Sequence, residues 1–195
     1  MTPTPALGVL LVGDPALGGI AGVVGAAASV ATLLALACWN LGANSLWYDE
    51  AATSYATSVQ GSRLVSWLSV DANMWLYYAV LRVFRSFLGS GEASLRIPSA
   101  LAAAGSVILL VCLGRRWFGT RVGVIAGTVL ALEPWTVRYA REARGYTLVM
   151  FACMLSVFFF DAIQHGRRRA RLWWIVVSLA AVYVISSRCL SSRPK

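Results

Sequence analysis

The sequence predicts an all-α protein: a polytopic transmembrane helix bundle of about five spans, with amphipathic interfacial helices in the first outer loop. Two observations carry this prediction. Hydrophobic residues make up 58% of the 195 residues, whereas soluble globular chains are about 45–50% apolar. The excess lies in long apolar runs, and only 13% of the residues are charged. A soluble domain with a single core is therefore excluded.

The apolar runs give the predicted spans in order. A transmembrane helix needs about 20 mostly apolar residues. The chain offers candidates at about Leu17–Leu41, Ile97–Leu113, Val122–Trp135, Thr147–Ile163 and Leu172–Ser186. The predicted transmembrane domain covers residues 17–186, between a disordered tail at 1–16 and a second tail at 187–195. The first tail has no Lys or Arg, so the basic region of a signal peptide is missing.

A long polar interval, residues 42–96, separates the first two spans. It contains two amphipathic stretches, Ala51–Leu68 and Met74–Leu88. A helix over the second stretch would be about 22 Å long, short of the roughly 30 Å hydrocarbon core. The stretch is rich in Trp and Tyr, which favour the membrane interface. We therefore expect it to lie in the membrane surface, where its apolar face can seat a lipid tail.

The charge distribution predicts membrane orientation. The net charge is +9, from 17 basic and 8 acidic residues, and the arginines cluster between apolar spans. This pattern favours the positive-inside rule and contact with anionic membrane lipid over nucleic-acid binding. The basic loops at 115–121 and 167–171 should be cytoplasmic. The 42–96 interval and the 136–146 loop then share the outer face of a multi-pass cell-membrane protein.

Cysteine and histidine give no metal pattern. The four cysteines are Cys38, Cys112, Cys153 and Cys189, and no C-x-x-C occurs. The single histidine, His165, lies in an arginine-rich loop, whereas protein metal sites use several ligands. No metal ligand is predicted, and a divalent metal stays open as a cofactor. Gly-rich phosphate loops, H-E-x-x-H and G-x-S-x-G are also absent from the sequence.

The two outer segments carry acidic and basic groups that could act together. The acids are Asp49, Glu50, Asp71 and Glu142, and the arginines near Glu142 are Arg138, Arg141 and Arg144. A carboxylate can act as a general base toward a hydroxyl or amine. Arginine can bind a phosphate through two hydrogen bonds. Together with a lipid-binding groove, these groups are what a sugar transferase with a lipid-phosphate donor needs.

Structural roles explain the same residues equally simply. Asp49 and Glu50 could cap the helix that starts near Ala51, because acids favour helix N-termini. Glu142 and its neighbouring arginines could form a surface salt-bridge cluster, which contributes little energy. Chemistry alone leaves both alternatives open.

Five short segments are informative as a set. They are Trp47–Ala51, Asp71–Tyr78, Leu95–Ala100, Gly114–Gly119 and Arg141–Tyr146. In order and spacing they resemble the motifs of the GT-C membrane glycosyltransferases. The closest resemblance is to family 39, which includes protein O-mannosyltransferases and lipid A aminoarabinose transferases. The resemblance covers about residues 30–175.

The resemblance implies a sugar donor linked to polyprenyl phosphate and direct displacement with inversion at the sugar carbon. It implies catalytic roles for Asp49 as base, Glu50 beside it, and Glu142 as a second acidic group. Predicted substrate-binding residues are Asp71, Asn73, Tyr77, Arg96, Arg138, Arg141, Arg144 and Tyr146. Asn73-Met74-Trp75 stands where the family often has His-Pro-Pro. Any donor or metal contact of that histidine is therefore not carried over.

The predicted function is transfer of a hexose, with mannose as a candidate, from a polyprenyl-phosphate donor to an unidentified extracytoplasmic acceptor. Family members are generally much longer, so we expect a truncated, frame-shifted or split-gene product. The alternatives are an inactive fragment and a non-enzymatic membrane subunit or transporter piece. A transporter predicts acids within its spans, whereas most acids here lie at span ends, which favours the transferase.

Overall fold

The computed structural model describes residues 15–39, 47–58, 75–89 and 91–185, and every regular element within them is helical. In chain order the helices are α1 Pro15–Cys38, α2 Tyr48–Ser58, α3 Trp75–Leu88, α4 Glu92–Phe118, α5 Thr120–Leu132, α6 Pro134–Ala140, α7 Tyr146–Gln164 and α8 Ala170–Ile185. The all-α helix bundle predicted from the apolar runs is thus confirmed.

Apolar helices stand at all of the predicted span positions. By length and composition α4 and α7 are able to cross a membrane, while the apolar stretches in α1, α5 and α8 are shorter. Helix α7 differs from its predicted span by one residue at each end. Of the predicted amphipathic stretch Met74–Leu88, the part Trp75–Leu88 forms α3, and Met74 lies outside the described residues. The other amphipathic stretch forms α2 as far as Ser58, and the remainder of it lies outside the described residues.

Two span boundaries differ from the prediction for local reasons. Helix α4 begins at Glu92 rather than near Ile97, and it contains Pro98 within its first turns. The third predicted span divides at Glu133, whose ψ of 123° is extended. A residue before proline disfavours the helical conformation, and Pro134 fits the first position of the new helix, α6. The Glu133 carboxylate caps α6 by accepting a hydrogen bond from the Thr136 N–H at 2.6 Å.

Helix α4 lies at the centre of the bundle. It packs against α1, α3, α5, α6 and α7, and α8 packs against α7. The core around α4 is built mostly from small side chains: Leu33, Ala37, Ala100, Ala103, Ala104, Val107, Ala131 and Ala140. Small residues let helix backbones approach closely, which favours helix association in a membrane.

The closest approach lies in the α4–α5 hairpin. Gly119 makes the turn with a φ of +93°, a conformation that favours glycine. Above the turn, Gly114 and Gly123 face each other. A Cβ on Gly114 would lie 2.7 Å from the Gly123 Cα, and a Cβ on Gly123 would lie 2.6 Å from the Arg115 backbone N. Backbone atoms cannot move aside as side chains do, so both positions require glycine.

Gly123→Ala is therefore expected to lower the free energy of unfolding by about 1–3 kcal/mol, the usual cost of overpacking. Thermal unfolding of the detergent-solubilised chain measures it. Gly91→Ala is the control, because nothing lies within 4 Å of a Cβ there and the φ of Gly91 is −68°. The expected loss of stability in Gly91→Ala is only the difference between glycine and alanine at a helix N-cap. Equal melting temperatures for both variants would contradict the close packing.

The arginines of α3 do not point away from the protein as free interfacial cations. Arg85 Nη1 donates to the Ser54 carbonyl at 2.9 Å and to Thr57 Oγ1 at 2.6 Å, and Arg82 Nη2 donates to the Ala56 carbonyl at 3.4 Å. These acceptors lie in the last turns of α2, where positive charge is favourable. The polar face of α3 thus holds α2 against the bundle.

A buried acid, Asp161 near the end of α7, fixes the C-terminal end of α4. Its Oδ1 accepts a hydrogen bond from Trp117 Nε1 at 2.9 Å, and its Oδ2 pairs with Arg116 Nε at 2.9 Å. The arginine-rich turns therefore meet at one end of the bundle. Glu50 and Glu142, described next, lie near the opposite end of α4.

Candidate active site

The carboxylate of Glu50, in the first turn of α2, connects three segments of the chain. Its side chain is buried, and the residue is only 2% exposed. Oε1 accepts hydrogen bonds from Arg96 Nε at 3.1 Å and from the Ala143 backbone N–H at 2.8 Å. Oε2 accepts from Arg96 Nη2 at 2.7 Å and from the Trp47 N–H at 3.4 Å. One side chain thus joins α2, α4 and the 141–145 loop.

These contacts make Glu50 a stable anion. The bond to Trp47 is a helix cap, in which a glutamate reaches back to the N–H that precedes its helix. Burial raises the pKa of Glu50, but the Arg96 hydrogen bond, the Ala143 N–H and the charge of Arg96 outweigh burial. The pKa therefore lies below its ordinary value of 4.5. A carboxylate held this way is a weak proton acceptor and a strong structural anchor.

A second set of hydrogen bonds fixes the same loop. Ser99 Oγ, on α4, donates to the Arg144 carbonyl at 3.2 Å. The Tyr77 hydroxyl lies 3.0 Å from Ser99 Oγ and, since the serine proton is already used, donates to it. Tyr77 is 1% exposed, and burial raises the pKa of its phenol above the ordinary value. The 141–145 loop is thus held at two points, by Glu50 of α2 and by Ser99 of α4.

A cavity of about 670 Å³, here called the main cavity, opens beside Glu50. Its polar lining is Glu50, Arg96, Arg138, Arg141 and Glu142, and its apolar lining comes from α1, α5 and α6. The cavity therefore combines two carboxylates, three guanidinium groups and an apolar wall. Its volume lies within the range of about 300–1,000 Å³ that is usual for small-molecule sites.

The arginines around the main cavity differ in their contacts. Arg96 is buried in the ion pair with Glu50. Arg138 Nε contacts Glu142 Oε1 at 3.1 Å, and the side chains of Arg138 and Glu142 are 62% and 26% exposed. Arg141 Nη2 donates to the Trp39 carbonyl at 3.0 Å. Exposed pairs contribute little energy, so Arg138 and Arg141 can exchange these contacts for a ligand at small cost.

A smaller cavity of about 240 Å³, here called the side cavity, shares part of this lining. It also contains Trp47, Tyr139, Arg144 and Tyr146. The rings of Tyr139 and Tyr146 are in contact, with centroids 4.8 Å apart. The site therefore has a second polar recess bounded by two tyrosines.

Comparison with known proteins assigns the chain to a family. Residues 72–191 match the family model described as dolichyl-phosphate-mannose-protein mannosyltransferase. The chain belongs to this mannosyltransferase family. The matched residues cover more than half of the chain and include the cavity residues from Arg96 to Tyr146. The resemblance to GT-C glycosyltransferases is thereby confirmed, although the match begins after the Trp47–Ala51 segment.

Two relatives from Bacillus subtilis (strain 168) agree with the family assignment. The protein provisionally named mannosyltransferase YkcB is 29% identical over 169 residues, which cover 80% of this chain and 23% of the relative. The protein provisionally named mannosyltransferase YycA is 27% identical over 164 residues, which cover 77% of this chain and 23% of the relative. This mannosyltransferase-family chain thus spans about a quarter of their length. No solved structure matches it.

Most of the predicted site residues of this mannosyltransferase-family chain meet at one end of the bundle. The cavities gather Glu50, Arg96, Arg138, Arg141, Glu142, Arg144 and Tyr146. Tyr77 is different: it packs in a core cluster with Tyr78, Leu81 and Leu95, and it contacts the 141–145 loop only through Ser99. Its predicted contact with substrate stays a prediction.

Three other predicted residues lie wholly or partly outside the described part of the chain. Asp71 and Asn73 lie outside the described residues. The backbone of Asp49 lies in the first turn of α2, beside Glu50, and its side chain is outside the described part. Within the described ranges, no three His, Cys, Asp or Glu side chains cluster as metal ligands would.

The sequence did not single out two residues that shape the site. Ser99 ties the loop to α4, and Tyr139 lines the side cavity. Both lie inside segments noted for other residues, Ser99 one residue after Pro98 and Tyr139 directly after Arg138. Their roles depend on contacts to distant parts of the chain, so local pattern offered no signal.

Proposed function

We propose that this chain forms the donor site of a membrane glycosyltransferase. The enzyme would transfer a hexose, mannose first, from a polyprenyl-phosphate donor to an acceptor on the extracytoplasmic side of the cell membrane. The observation that carries the proposal is the main cavity, where Glu142, Arg138 and Arg141 stand beside the Glu50–Arg96 pair at one end of an apolar bundle. Family membership supports the choice of mannose and of a polyprenyl carrier.

The proposed step is one displacement at the anomeric carbon. The acceptor nucleophile attacks from the face opposite the phosphate and forms the new bond to carbon 1. The bond from carbon 1 to the phosphate oxygen breaks, and polyprenyl phosphate leaves with the electron pair. The acceptor proton passes to the Asp49 carboxylate, which acts as general base. The sugar carbon is inverted.

The remaining residues have supporting roles in this proposal. Arg138, Arg141 and Arg144 stabilise the charge that develops on the phosphate, because guanidinium groups bind phosphate oxygens in pairs. Glu142 holds Arg138 in the cavity between turnovers. Glu50 and Arg96 fix the first turn of α2, and with it Asp49, against the 141–145 loop.

The test is sugar transfer in membranes that contain the full chain, with labelled polyprenyl-phosphate mannose as donor and polyprenyl-phosphate glucose as the comparison. Mannose release from the donor into an acceptor fraction is expected, faster than glucose release. No transfer above that of membranes without the chain would overturn the activity of this chain.

A topology experiment tests the shared site separately. In a background without native cysteines, Asp49→Cys and Glu142→Cys are expected to react with a membrane-impermeant thiol reagent added to the same face. Labelling from opposite faces would exclude a site that contains both residues.

A further inference from the structure

The backbone around Arg144 is held by hydrogen bonds to three different parts of the chain. The Arg144 N–H donates to the Glu142 carbonyl at 2.8 Å, and the Arg144 carbonyl accepts from Ser99 Oγ at 3.2 Å. The preceding N–H, that of Ala143, donates to Glu50 Oε1 at 2.8 Å. Arg144 also lines the side cavity. Its side chain therefore starts from a fixed backbone at the edge of that cavity.

The Ser99 hydroxyl is itself held by Tyr77 of α3. Ser99 is 0% exposed and Tyr77 is 1% exposed, so water cannot replace either hydroxyl. The Tyr77 hydroxyl donates to Ser99 Oγ at 3.0 Å, and Ser99 donates onward to the Arg144 carbonyl. Burial raises the pKa of the Tyr77 phenol, and the Ser99 hydrogen bond and the nearby charge of Arg144 lower it only in part. Two hydrogen bonds in series thus connect α3 to the 141–145 loop.

Helix α3 supports the site without lining it. The sequence suggested that Met74–Leu88 seats a lipid tail with its apolar face. In the structure, Tyr77, Tyr78 and Leu81 of α3 lie instead in a core cluster, which also contains Ala143 of the loop. Among the described residues that line the main and side cavities, none belongs to α3. The influence of α3 on the site is therefore indirect and passes through the loop.

We infer that Ser99 and Tyr77 are positioning residues that aim the Arg144 guanidinium at the donor phosphate. The inference rests on the proposed function and places neither residue in contact with the substrate. A guanidinium binds phosphate oxygens in pairs, so its contribution depends on its orientation. A displacement of about 1 Å at such a group can lower a rate about 100-fold. Without the Ser99 bond, the Arg144 carbonyl loses a partner and the loop can turn about its remaining contacts.

Ser99→Ala is expected to weaken the binding of labelled, sugar-free polyprenyl phosphate about tenfold, the size of one lost hydrogen bond to a charged group. Equilibrium binding to membranes that contain the full chain measures it without turnover. Hydrogen–deuterium exchange of residues 141–145 should also become about fivefold faster. Ser106→Ala is the matched control. Ser106 is likewise 0% exposed on α4, but it donates to the Ala102 carbonyl of its own helix at 2.9 Å.

A double variant separates positioning from a merely structural role. Ser99→Ala leaves the buried Tyr77 hydroxyl without its acceptor and should lower the melting temperature. Adding Tyr77→Phe removes that hydroxyl, so the melting temperature should recover in part. The Arg144 carbonyl still lacks the Ser99 bond, so phosphate binding should stay about tenfold weaker than in the wild type.

The outcomes distinguish this inference from the proposed function. Equal binding of polyprenyl phosphate by Ser99→Ala and Ser106→Ala would overturn the positioning role even if sugar transfer is intact. Recovery of both stability and binding in the double variant would also overturn it. Faster exchange of the loop in Ser99→Ala alone, in a chain that binds no polyprenyl phosphate, would support the positioning of Arg144 and contradict the proposed donor site.

Discussion

Asp49→Asn is expected to lower the rate of sugar transfer by about 10²–10⁴-fold, the usual contribution of a general base. Asparagine has the same shape as aspartate but cannot accept the proton of the acceptor. The adjacent Glu50 cannot replace it, because its carboxylate already accepts four hydrogen bonds and its pKa lies below the ordinary value. The measurement is the single-turnover rate at saturating labelled donor, in membranes with matched protein levels.

Two comparisons make the Asp49 result specific. Binding of labelled polyprenyl-phosphate mannose should be unchanged in Asp49→Asn, because the proposed base contacts the acceptor rather than the lipid phosphate. Glu92→Gln removes an acid from the first turn of another helix, α4, and should transfer sugar at the wild-type rate. An Asp49→Asn chain as fast as wild type would exclude Asp49 as the base.

Arg96→Met is expected to reduce the free energy of unfolding by about 3–5 kcal/mol, the cost of leaving a buried charge without its partner. Glu50 and Arg96 are 2% and 4% exposed, so water cannot replace the lost contact. The 141–145 loop should loosen as well, because the same carboxylate holds the Ala143 N–H. Denaturation in detergent, followed by resistance to protease, measures both effects.

The ion pair is tested further by a double variant. Glu50→Gln combined with Arg96→Met removes both charges and keeps an oxygen for the Ala143 N–H, so it should be more stable than Arg96→Met alone. Arg138→Met, which breaks the exposed pair with Glu142, should cost less than about 1 kcal/mol. If Arg96→Met and Arg138→Met cost the same, the buried pair does not anchor the loop.

Acid should weaken the same anchor. Because the folded pKa of Glu50 is depressed, its stabilising contribution is fully present above the ordinary value of 4.5. The contribution is lost as pH falls through the lower folded pKa. The free energy of unfolding of the wild-type chain should therefore fall as the pH drops from about 4.5 through the lower folded pKa. Glu50→Gln should lack this part of the pH dependence.

The apolar helices were predictable because each is a continuous local signal. Thr147–Ile163 contains one charged residue, Asp161 near its end, and α7 ends within one residue of the predicted boundary. The start of α4 was not predictable in this way, because Arg96 looks like the end of a polar interval. Arg96 lies inside the helix and is buried in an ion pair with Glu50, 46 residues earlier. Pro134 is likewise compatible with the end of one helix and with the start of the next. Because the Glu133 side chain caps α6, Pro134 is the first residue of α6.

Which residues form the candidate site was easier to predict than what each of these residues does there. Acids and arginines of two outer segments were expected together, and Glu50 does meet the loop that carries Glu142. Whether Glu50 caps, anchors or catalyses depends on Arg96 and on the Ala143 N–H, 46 and 93 residues away. Tyr77 lies in Asp71–Tyr78, one of the segments that resemble the family motifs, and its hydroxyl contacts Ser99 inside the protein. Its substrate contact stays a prediction.

The three-way contact of Glu50 also sets an order on biosynthesis. A chain made from its N-terminus at about 5–20 residues per second presents Glu50 to the membrane several seconds before Arg96 exists. The Ala143 N–H follows 93 residues after Glu50, roughly 5–20 s later at that rate. Before these partners exist, water solvates the Glu50 carboxylate better than the bilayer interior does. We therefore expect α2 to stay at the membrane surface while the apolar helices insert. The candidate site is consequently the last part of this region to assemble, when the 141–145 loop has been made.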